Sequence, residues 1–301
     1  MRIKPLLSIL LVTLLLSACG SSGTYLAEGG IGGTGISTGP ITGFGSIWVN
    51  GVRYNVATAA FYRDGQPVSG QDAYRIGEIV TIRGDLNADG VSGNAAQVHF
   101  DNALQGTLDQ AVAPGGTELH ILQQRVKTSN LTLLHGFQAL ENLQPGNLLQ
   151  VSGNPDAAGI LQANSITLLQ SRFDPTQAAL EVRGTVSQLD SQRRYFKLGA
   201  LQVDYAQAIL NIATADLRNG MNVKVYSHQL PGNNAVLIAE RIESDRSTPQ
   251  YAVGQEVELE GLITRFQDRQ HFSLNGQPVI SERGYRVRTR QCSRSGPQCT
   301  H

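Results

Sequence analysis

The segment DLNADG at residues 85–90 carries the most explicit chemical pattern in the chain. Acids or amides at its first, third and fifth positions, followed by glycine, reproduce the first half of a calcium-binding loop, in which hard oxygen ligands surround the ion. The bidentate acid that such a loop needs at its twelfth position is replaced by Ala96, and strands are expected on both sides. The pattern therefore favours a hairpin loop, with a weak calcium site in an adhesion-type protein as the alternative.

The other reactive side chains form no pattern that predicts catalysis. The six His residues lack metal-ligand spacing, and no G-x-S-x-G nucleophile elbow occurs. Gly30, Gly32 and Gly35 satisfy G-x-G-x-x-G, but Pro40 follows where a dinucleotide site needs a helix. We therefore predict no catalytic, metal-binding or cofactor-binding residue and a protein that is not an enzyme. An envelope hydrolase acting on glycans stays as the alternative, because catalytic groups can converge from distant positions.

Cys19 has the clearest predicted chemistry. The chain begins with a positively charged region that contains Arg2 and Lys4. An apolar run too short to span a bilayer follows, and Cys19 comes after that run. The Leu-Ser-Ala-Cys sequence that ends this run resembles the bacterial lipobox, in which the signal is cut before the cysteine and that cysteine is lipidated. Residues 1–18 are thus predicted to be a lipoprotein signal peptide, and acyl chains on Cys19 are predicted to hold the mature chain on a lipid bilayer.

The compartment that this anchor implies is the cell envelope. By resemblance to lipoprotein sorting, Gly20 in place of Asp after the cysteine favours the outer membrane, with the chain facing the periplasm or the surface. There Cys292 and Cys299 could form a disulfide within the Arg-rich tail, residues 282–301, which is predicted to be poorly ordered. The interpretation we favour for this tail is a fourth repeat cut short by a shifted reading frame.

Charge excludes one class of partner. Residues 19–281 carry 17 basic and 23 acidic side chains, whereas nucleic-acid binders need clustered positive charge to neutralise phosphates. The expected ligand is therefore a glycan or an envelope protein, and no nucleic acid. Trp48, Tyr54, Phe61 and Tyr62 could form an aromatic face for it, although strand alternation favours Trp48 and Tyr54 in the core.

Short strands must position all of these residues. The chain has 33 Gly and many alternating runs of β-branched residues, which predicts an all-β fold. Residues 39–56, GPITGFGSIWVNGVRYNV, are the template, and their Asn50-Gly51 pair predicts a type I′ hairpin turn. Reduced copies recur downstream, and the glycines that open the successive copies are Gly43, Gly106, Gly184 and Gly261. A second glycine follows in each complete copy, at Gly77, Gly146 and Gly220.

These repeats predict tandem small antiparallel β-barrels of the OB-like kind, because closing a small sheet removes its exposed edges. One continuous β-solenoid is the alternative architecture. The predicted organisation is a signal peptide at 1–18, a Gly-rich tether at 19–39, β-barrel repeats at 40–103, 104–171 and 180–246, a partial fourth repeat at 254–281 and the tail at 282–301.

The motifs GGIGGTGI, GPITGFGSIWVNGVRY and Gly-x-x-Val-x-Ile-x-Gly together resemble the bacterial family of lipoproteins built from the domain of unknown function 5666. The resemblance covers roughly residues 29–280 and is strongest in the first repeat. It implies a secreted lipoprotein of tandem β-domains and no established activity. The expected function is that of a membrane-anchored envelope lipoprotein acting as a non-enzymatic binding or scaffolding module.

Overall fold

The computed structural model describes residues 34–156, 158–212, 217–232, 234–245, 257–259, 263–274 and 277–280. Cys19, Cys292 and Cys299 lie outside the described residues, as do the predicted signal peptide and the Arg-rich tail. Within the described part the fold is nearly all β, which confirms the all-β part of the predicted fold class. The helical content there consists of two single 3-10 turns, Gln71–Ala73 and Leu140–Asn142.

For description, the strands are grouped in chain order by the ranges of the predicted repeats and called units 1 to 4. Unit 1 contains β1 Thr34–Gly43, β2 Ile47–Val49, β3 Val52–Asn55, β4 Ala60–Arg63, β5 Gln66–Val68, β6 Ile79–Leu86 and β7 Ser92–Phe100. Unit 2 contains β8 Leu104–Thr107, β9 Glu118–Ile121, β10 Gln124–Lys127, β11 Leu133–His135, β12 Leu148–Pro155 and β13 Leu161–Gln170. Unit 3 contains β14 Leu180–Asp190, β15 Tyr195–Leu198, β16 Leu201–Asp204, β17 Ile209–Asn211, β18 Asn222–Ser227, β19 Val236–Ile238 and β20 Arg241–Ser244. Unit 4 contains β21 Val257–Leu259, β22 Ile263–Phe266, β23 His271–Leu274 and β24 Gln277–Ile280.

Unit 1 is a closed barrel of five strands. Strand β1 pairs with β2 on one side and β6 on the other, β2 pairs with β3, β3 runs parallel to β7, and β7 pairs back to β6. The β4–β5 hairpin extends the sheet beside β7. Alternating side chains fill the barrel, and Ile41, Ile47 and Ile82 have no exposed surface.

Units 2 and 3 repeat this order of pairing with local changes. In unit 2, an isolated bridge between Leu108, directly after β8, and Ile121 of β9 takes the place of the β1–β2 pairing. In unit 3, the last strand is broken, so that β19 runs parallel to β16 while β20 pairs with β18. The glycine before the fourth barrel strand has the same left-handed backbone in each unit, with φ of 85°, 88° and 86° at Gly77, Gly146 and Gly220. A side chain would strain that conformation, which explains the repeated glycine.

One backbone contact corrects the predicted register of the repeat. The N–H groups of these three glycines donate to the carbonyl oxygens of Ile41, Leu108 and Val186, respectively. Each acceptor in units 2 and 3 lies two residues after the opening glycine, and the same spacing in unit 1 points to Gly39. The choice of Gly43 as the opening glycine is therefore wrong, because composition alone could not separate two glycines on one strand.

The first strand also begins earlier than the sequence predicts. Strand β1 starts at Thr34, pairs with β6 from Thr34 to Pro40, and buries Ile36 at 2% exposure. The flexible tether predicted for residues 19–39 is therefore wrong over its last six residues. In this stretch Gly35, Ser37 and Gly39 share one face of β1, opposite the face that carries Ile36 and Thr38.

The units are joined in two different ways. Strand β8 of unit 2 pairs with β14 of unit 3, with Leu104 opposite Val182, and one hydrophobic cluster contains residues of both units. Unit 1 has a separate hydrophobic cluster of its own. In unit 4, β21 runs parallel to β1, and β22, β23 and β24 form a three-stranded antiparallel sheet.

Candidate functional site

A polar cleft of about 320 Å³ opens where unit 1 meets unit 3. The charged residues that line it come from two strands, from one hairpin turn and from the residues that follow two further strands. Asp64 comes from the β4–β5 turn, Asp101 follows β7, Arg183 lies on β14, Lys224 on β18, and Asp245 follows β20. The cleft therefore exists only when units 1 and 3 are in contact.

Asp64 carries the first connection between the two units. Its backbone φ of 50°, followed by 77° at Gly65, indicates a type I′ turn at the tip of the β4–β5 hairpin. The carboxylate accepts hydrogen bonds of 2.8 Å from the backbone and the side-chain amide of Asn102. Lys224 of unit 3 donates to the same carboxylate at 3.0 Å.

The contact between units 1 and 3 around Asp64, Lys224 and Arg183 is here called the charged joint. Lys224 and Glu181 form its most buried ion pair. The Lys224 Nζ lies 2.6 Å from Glu181 Oε1, and each side chain is 6% exposed. Burial, reinforced by the Asp64 carboxylate, raises the pKa of Glu181 to about 8, against the opposing pull of Lys224. Burial would lower the pKa of Lys224, but Glu181 and Asp64 together raise it above its ordinary value.

Arg183 makes the second connection between the units. Its Nη2 lies 3.3 Å from Asp101 of unit 1, and its Nη1 donates to Asp245 of unit 3 at 3.3 Å. Burial opposes its charge, but these two acids hold the pKa of Arg183 above its usual range. The guanidinium therefore bridges the units with its charge retained.

A third connection ties unit 1 to unit 2. Arg63 donates to the carboxylate of Glu78, which is 1% exposed, at 2.8 Å, and its other nitrogen donates to Gln150 of unit 2 at 3.0 Å. The backbone N–H of Ile79 donates to the hydroxyl of Ser152 at 2.8 Å. Unit 1 is thus held against both neighbours by charged and polar side chains, and the cleft's charges act first as ties between units.

A family comparison places unit 2 in a known group. The family model described as "Domain of unknown function (DUF5666)" matches residues 105–167. This segment is therefore similar to the DUF5666 family. The match begins in β8 and ends within β13, so it spans nearly the whole of unit 2. A search of curated proteins found no match to the chain.

The match confirms the domain family that the motifs indicate, although the sequence resemblance is strongest in unit 1 and the family match lies in unit 2. The β9–β10 hairpin of unit 2 corresponds to β2–β3 of unit 1 and β15–β16 of unit 3. In every case the residue before the turn faces the first strand, as the pairs Ile41–Val49, Leu108–Ile121 and Val186–Leu198 demonstrate.

The aromatic face considered from sequence is not assembled. Tyr54 and Phe61 are buried in the barrel of unit 1, and Tyr62 stacks on His99 with ring centroids 4.7 Å apart. The prediction that Trp48 points into the core is wrong, because Trp48 is 38% exposed. Ile47 and Val49 take the inward positions of β2, which turns the residue between them outward.

The calcium-like segment is a hairpin loop between β6 and β7, as the sequence favours. The carboxylate of Asp89 accepts hydrogen bonds from the backbone N–H groups of Val91 and Ser92, and from the Ser92 hydroxyl at 2.6 Å. These hydrogen bonds lower the pKa of Asp89. Within the described ranges, no three His, Cys, Asp or Glu residues are grouped so that they could hold a metal ion. The same ranges contain no helix with the length and apolar character needed to cross a membrane.

The joint residues were not predicted from sequence. Glu181 and Lys224 stand between apolar neighbours in LEVRGTV and NVKVYS, where a charge interrupts a buried strand. That interruption is the available signal, since a buried charge needs a partner. The partners themselves lie far away in the chain, and only the packing of the units brings them together.

Proposed function

We propose that the chain is a lipid-anchored lipoprotein of the cell envelope that acts as a non-enzymatic binding or scaffolding module. The observation that carries the proposal is the charged joint around the cleft. Asp64 with Lys224, and Asp101 with Arg183, fix unit 1 against unit 3 in a defined arrangement. A rigid array of units is what a scaffold or a multivalent binder needs, because preorganised contacts lose less entropy on binding.

The fold proposed for this array is a tandem series of OB-like barrels. Support comes from unit 1, where the closed order β1-β2-β3-β7-β6 combines antiparallel neighbours with one parallel pair, β3 and β7. Support for the tandem arrangement comes from the recurrence of this order in units 2 and 3. Small barrels of this kind commonly present the outer face of their second and third strands to oligomeric ligands.

The proposed anchor is an acylated Cys19 in the outer membrane. The test is Cys19→Ser in the full chain, followed by membrane fractionation and mass measurement. We expect the variant to be unprocessed or released from membranes, because acyl chains provide the attachment. A Cys19→Ser chain of mature size that still fractionates with membranes would exclude the anchor.

The binding function is tested with the full purified chain on a glycan array and in a crosslinked pull-down from envelope extract. We expect saturable binding to a defined glycan or envelope protein. Lys224→Met, which loosens the joint, should weaken any ligand contact that spans units. Lys197→Met is the matched control, because Lys197 lies half-exposed on a hairpin of unit 3. Absence of any saturable ligand in both assays would contradict the proposal.

One observation favours a glycan hydrolase as the second candidate. Asp101 and Asp245 both line the cleft, and paired carboxylates are the groups that glycoside hydrolysis requires. The test is release of reducing sugar from envelope glycans by the wild-type chain and by Asp101→Asn. Turnover that this single substitution abolishes would replace the binding-only function.

A further inference from the structure

Trp48 is the single Trp of the chain, and β2 presents it on the outside of unit 1. Its neighbours Ile47 and Val49 have no exposed surface, whereas Trp48 is 38% exposed. Phe44, in the turn before β2, is 39% exposed. Two large aromatic side chains therefore lie at the surface of this barrel, one in the turn before β2 and one on β2 itself.

Gly43 fixes the position of the indole. Gly43 is paired with Trp48 across β1 and β2, and a Cβ on it would stand only 3.1 Å from Trp48 Cδ1. The missing side chain allows the indole to lie close over the backbone of β1. The ring is thus held by the sheet on one side while its remaining surface meets solvent.

Arg53 stands directly across the hairpin from Trp48. At the same position of unit 2, Arg125 donates to Glu118 at 2.7 Å, so an acid occupies that guanidinium. The position of Glu118 corresponds to Ser46 in unit 1, which carries no charge. The arginine of unit 1 therefore lacks the carboxylate that its counterpart uses.

The corresponding hairpins of units 2 and 3 pack on each other. Gln124 at the tip of one donates to the carbonyl of Leu198 at the tip of the other, at 3.0 Å. The tip of the unit 1 hairpin turns back on its own barrel instead, where Asn50 donates to Ser37 at 3.0 Å and to Thr38. The hairpin with the exposed aromatic residues is thus the one not engaged in this contact between units.

We propose that the outer face formed by Trp48 and Arg53, with Phe44 in the adjoining turn, binds a saccharide chain. A pyranose ring lays its C–H face on the exposed indole, and the Arg53 guanidinium donates hydrogen bonds to the sugar oxygens. Unit 1 carries six acids against four Arg over residues 34–103, which disfavours a polyanion such as nucleic acid. The inference rests on the proposed binding function and adds the site and the class of ligand.

The emission of Trp48 provides a direct test, because no other Trp contributes. The full purified chain is titrated with chitohexaose, cellohexaose and maltohexaose while Trp fluorescence is recorded. We expect at least one hexasaccharide to change the emission saturably. Arg53→Gln and Phe44→Ser should each weaken that binding about tenfold or more, while Arg125→Gln, the matched control in unit 2, should leave it unchanged.

Three outcomes would overturn the proposal. The first is a sugar response that Arg53→Gln leaves intact. The second is an emission change with phosphatidylethanolamine–phosphatidylglycerol vesicles and with none of the sugars, which would assign the face to a membrane surface. The third is glycan-array binding that Trp48→Ala does not affect; the binding function would then stand and this site would fall. Failure of the array, the pull-down and the titration together would remove both.

Discussion

The contact between units 2 and 3 is apolar, whereas the contacts of unit 1 with these two units are polar and charged. Units 2 and 3 meet through the β8–β14 pairing and one common hydrophobic cluster that includes Leu104 and Val182. Unit 1 meets its neighbours through ion pairs and hydrogen bonds, chiefly those of Asp64, Arg63 and Arg183. An apolar joint is non-directional and scales with buried area, whereas a charged joint depends on exact partners and leaves a polar cleft beside it.

The difference locates where function can reside. Units 2 and 3 share a hydrophobic core, and protein interiors are packed about as densely as crystals. The charged joint keeps its groups at a solvent-accessible cleft and fixes the orientation of unit 1. We therefore expect the two joints to respond differently to substitution, and the following measurements separate them, beginning with the largest expected effect.

Lys224→Met breaks the charged joint at its centre. The substitution leaves Glu181 buried without its 2.6 Å partner, and we expect the unfolding free energy to fall by about 3–5 kcal/mol. Chemical denaturation measures the loss, and hydrogen exchange should show faster exchange at the Asn102 amide that Asp64 holds. Lys197→Met is the control, because Lys197 is a half-exposed residue of unit 3 that lies outside the cleft. Equal losses in the two variants would mean that the joint is not stabilised by this ion pair.

Leu104→Ala tests the apolar joint. Leu104 is 2% exposed and faces Val182, so the cavity should cost about 2–5 kcal/mol. Hydrogen exchange should increase in β12 of unit 2 and in β14 of unit 3 together, with β7 of unit 1 unchanged. Leu131→Ala serves as the control, because Leu131 is 80% exposed. Faster exchange confined to unit 2 would show that the two units do not share one cooperative core.

Asn50→Ala probes the part of unit 1 that is independent of either joint. It loses two side-chain hydrogen bonds and places Ala at a φ of 55°, so we expect a loss of about 1–3 kcal/mol in unit 1 alone. Asn50→Gly keeps the left-handed backbone accessible and should recover part of the loss. A change in the stability of units 2 and 3 would argue against separate cores.

The charged joint should also make the stability of the chain depend on pH. The pKa of Glu181 is raised from 4.5 to about 8, so the folded chain binds this proton more tightly than the unfolded chain. Stability from this group should therefore decline as pH rises from about 4.5 to about 8. Lys224, whose pKa is raised above its ordinary value, stays charged in both states across this window and adds no pH dependence of its own. Denaturation of the wild type and Glu181→Gln across this window measures it, and parallel curves for the two proteins would contradict it.

Local structure was predictable where one residue type dictates the backbone. Asn50 and Gly51 have φ of 55° and 80°, as the expected type I′ turn requires, and Gly77, Gly146 and Gly220 share one conformation. The inward or outward direction of Trp48 was predicted wrongly, because its size suggested burial while Ile47 and Val49 compete for the same inward face. If Ile47 and Val49 are assigned to the inward face of β2, strand alternation places Trp48 on the outward face.

The cleft could not be predicted, because its residues share no local pattern. Asp64 and Lys224 are separated by 160 positions, and their ion pair exists only after two barrels have closed and packed. A contact between residues so far apart in the chain produces no signal in the local composition or in the periodicity of the sequence. The apolar joint was equally hidden, since Leu104 and Val182 look like ordinary core residues of separate repeats.

Because units 2 and 3 share one core, the repeat that is recognised in the sequence is smaller than the unit that folds. The segment 105–167 that the family model recognises is a unit that a genome can copy, yet its β8 edge and much of its interior are completed by the next repeat. A gene that gains or loses repeats can exchange unit 1 without dividing a hydrophobic core, although the exchange removes the β1–β21 pairing and the polar ties to units 2 and 3. It must move units 2 and 3 together, because cutting between residues 171 and 180 would divide one interior between two chains.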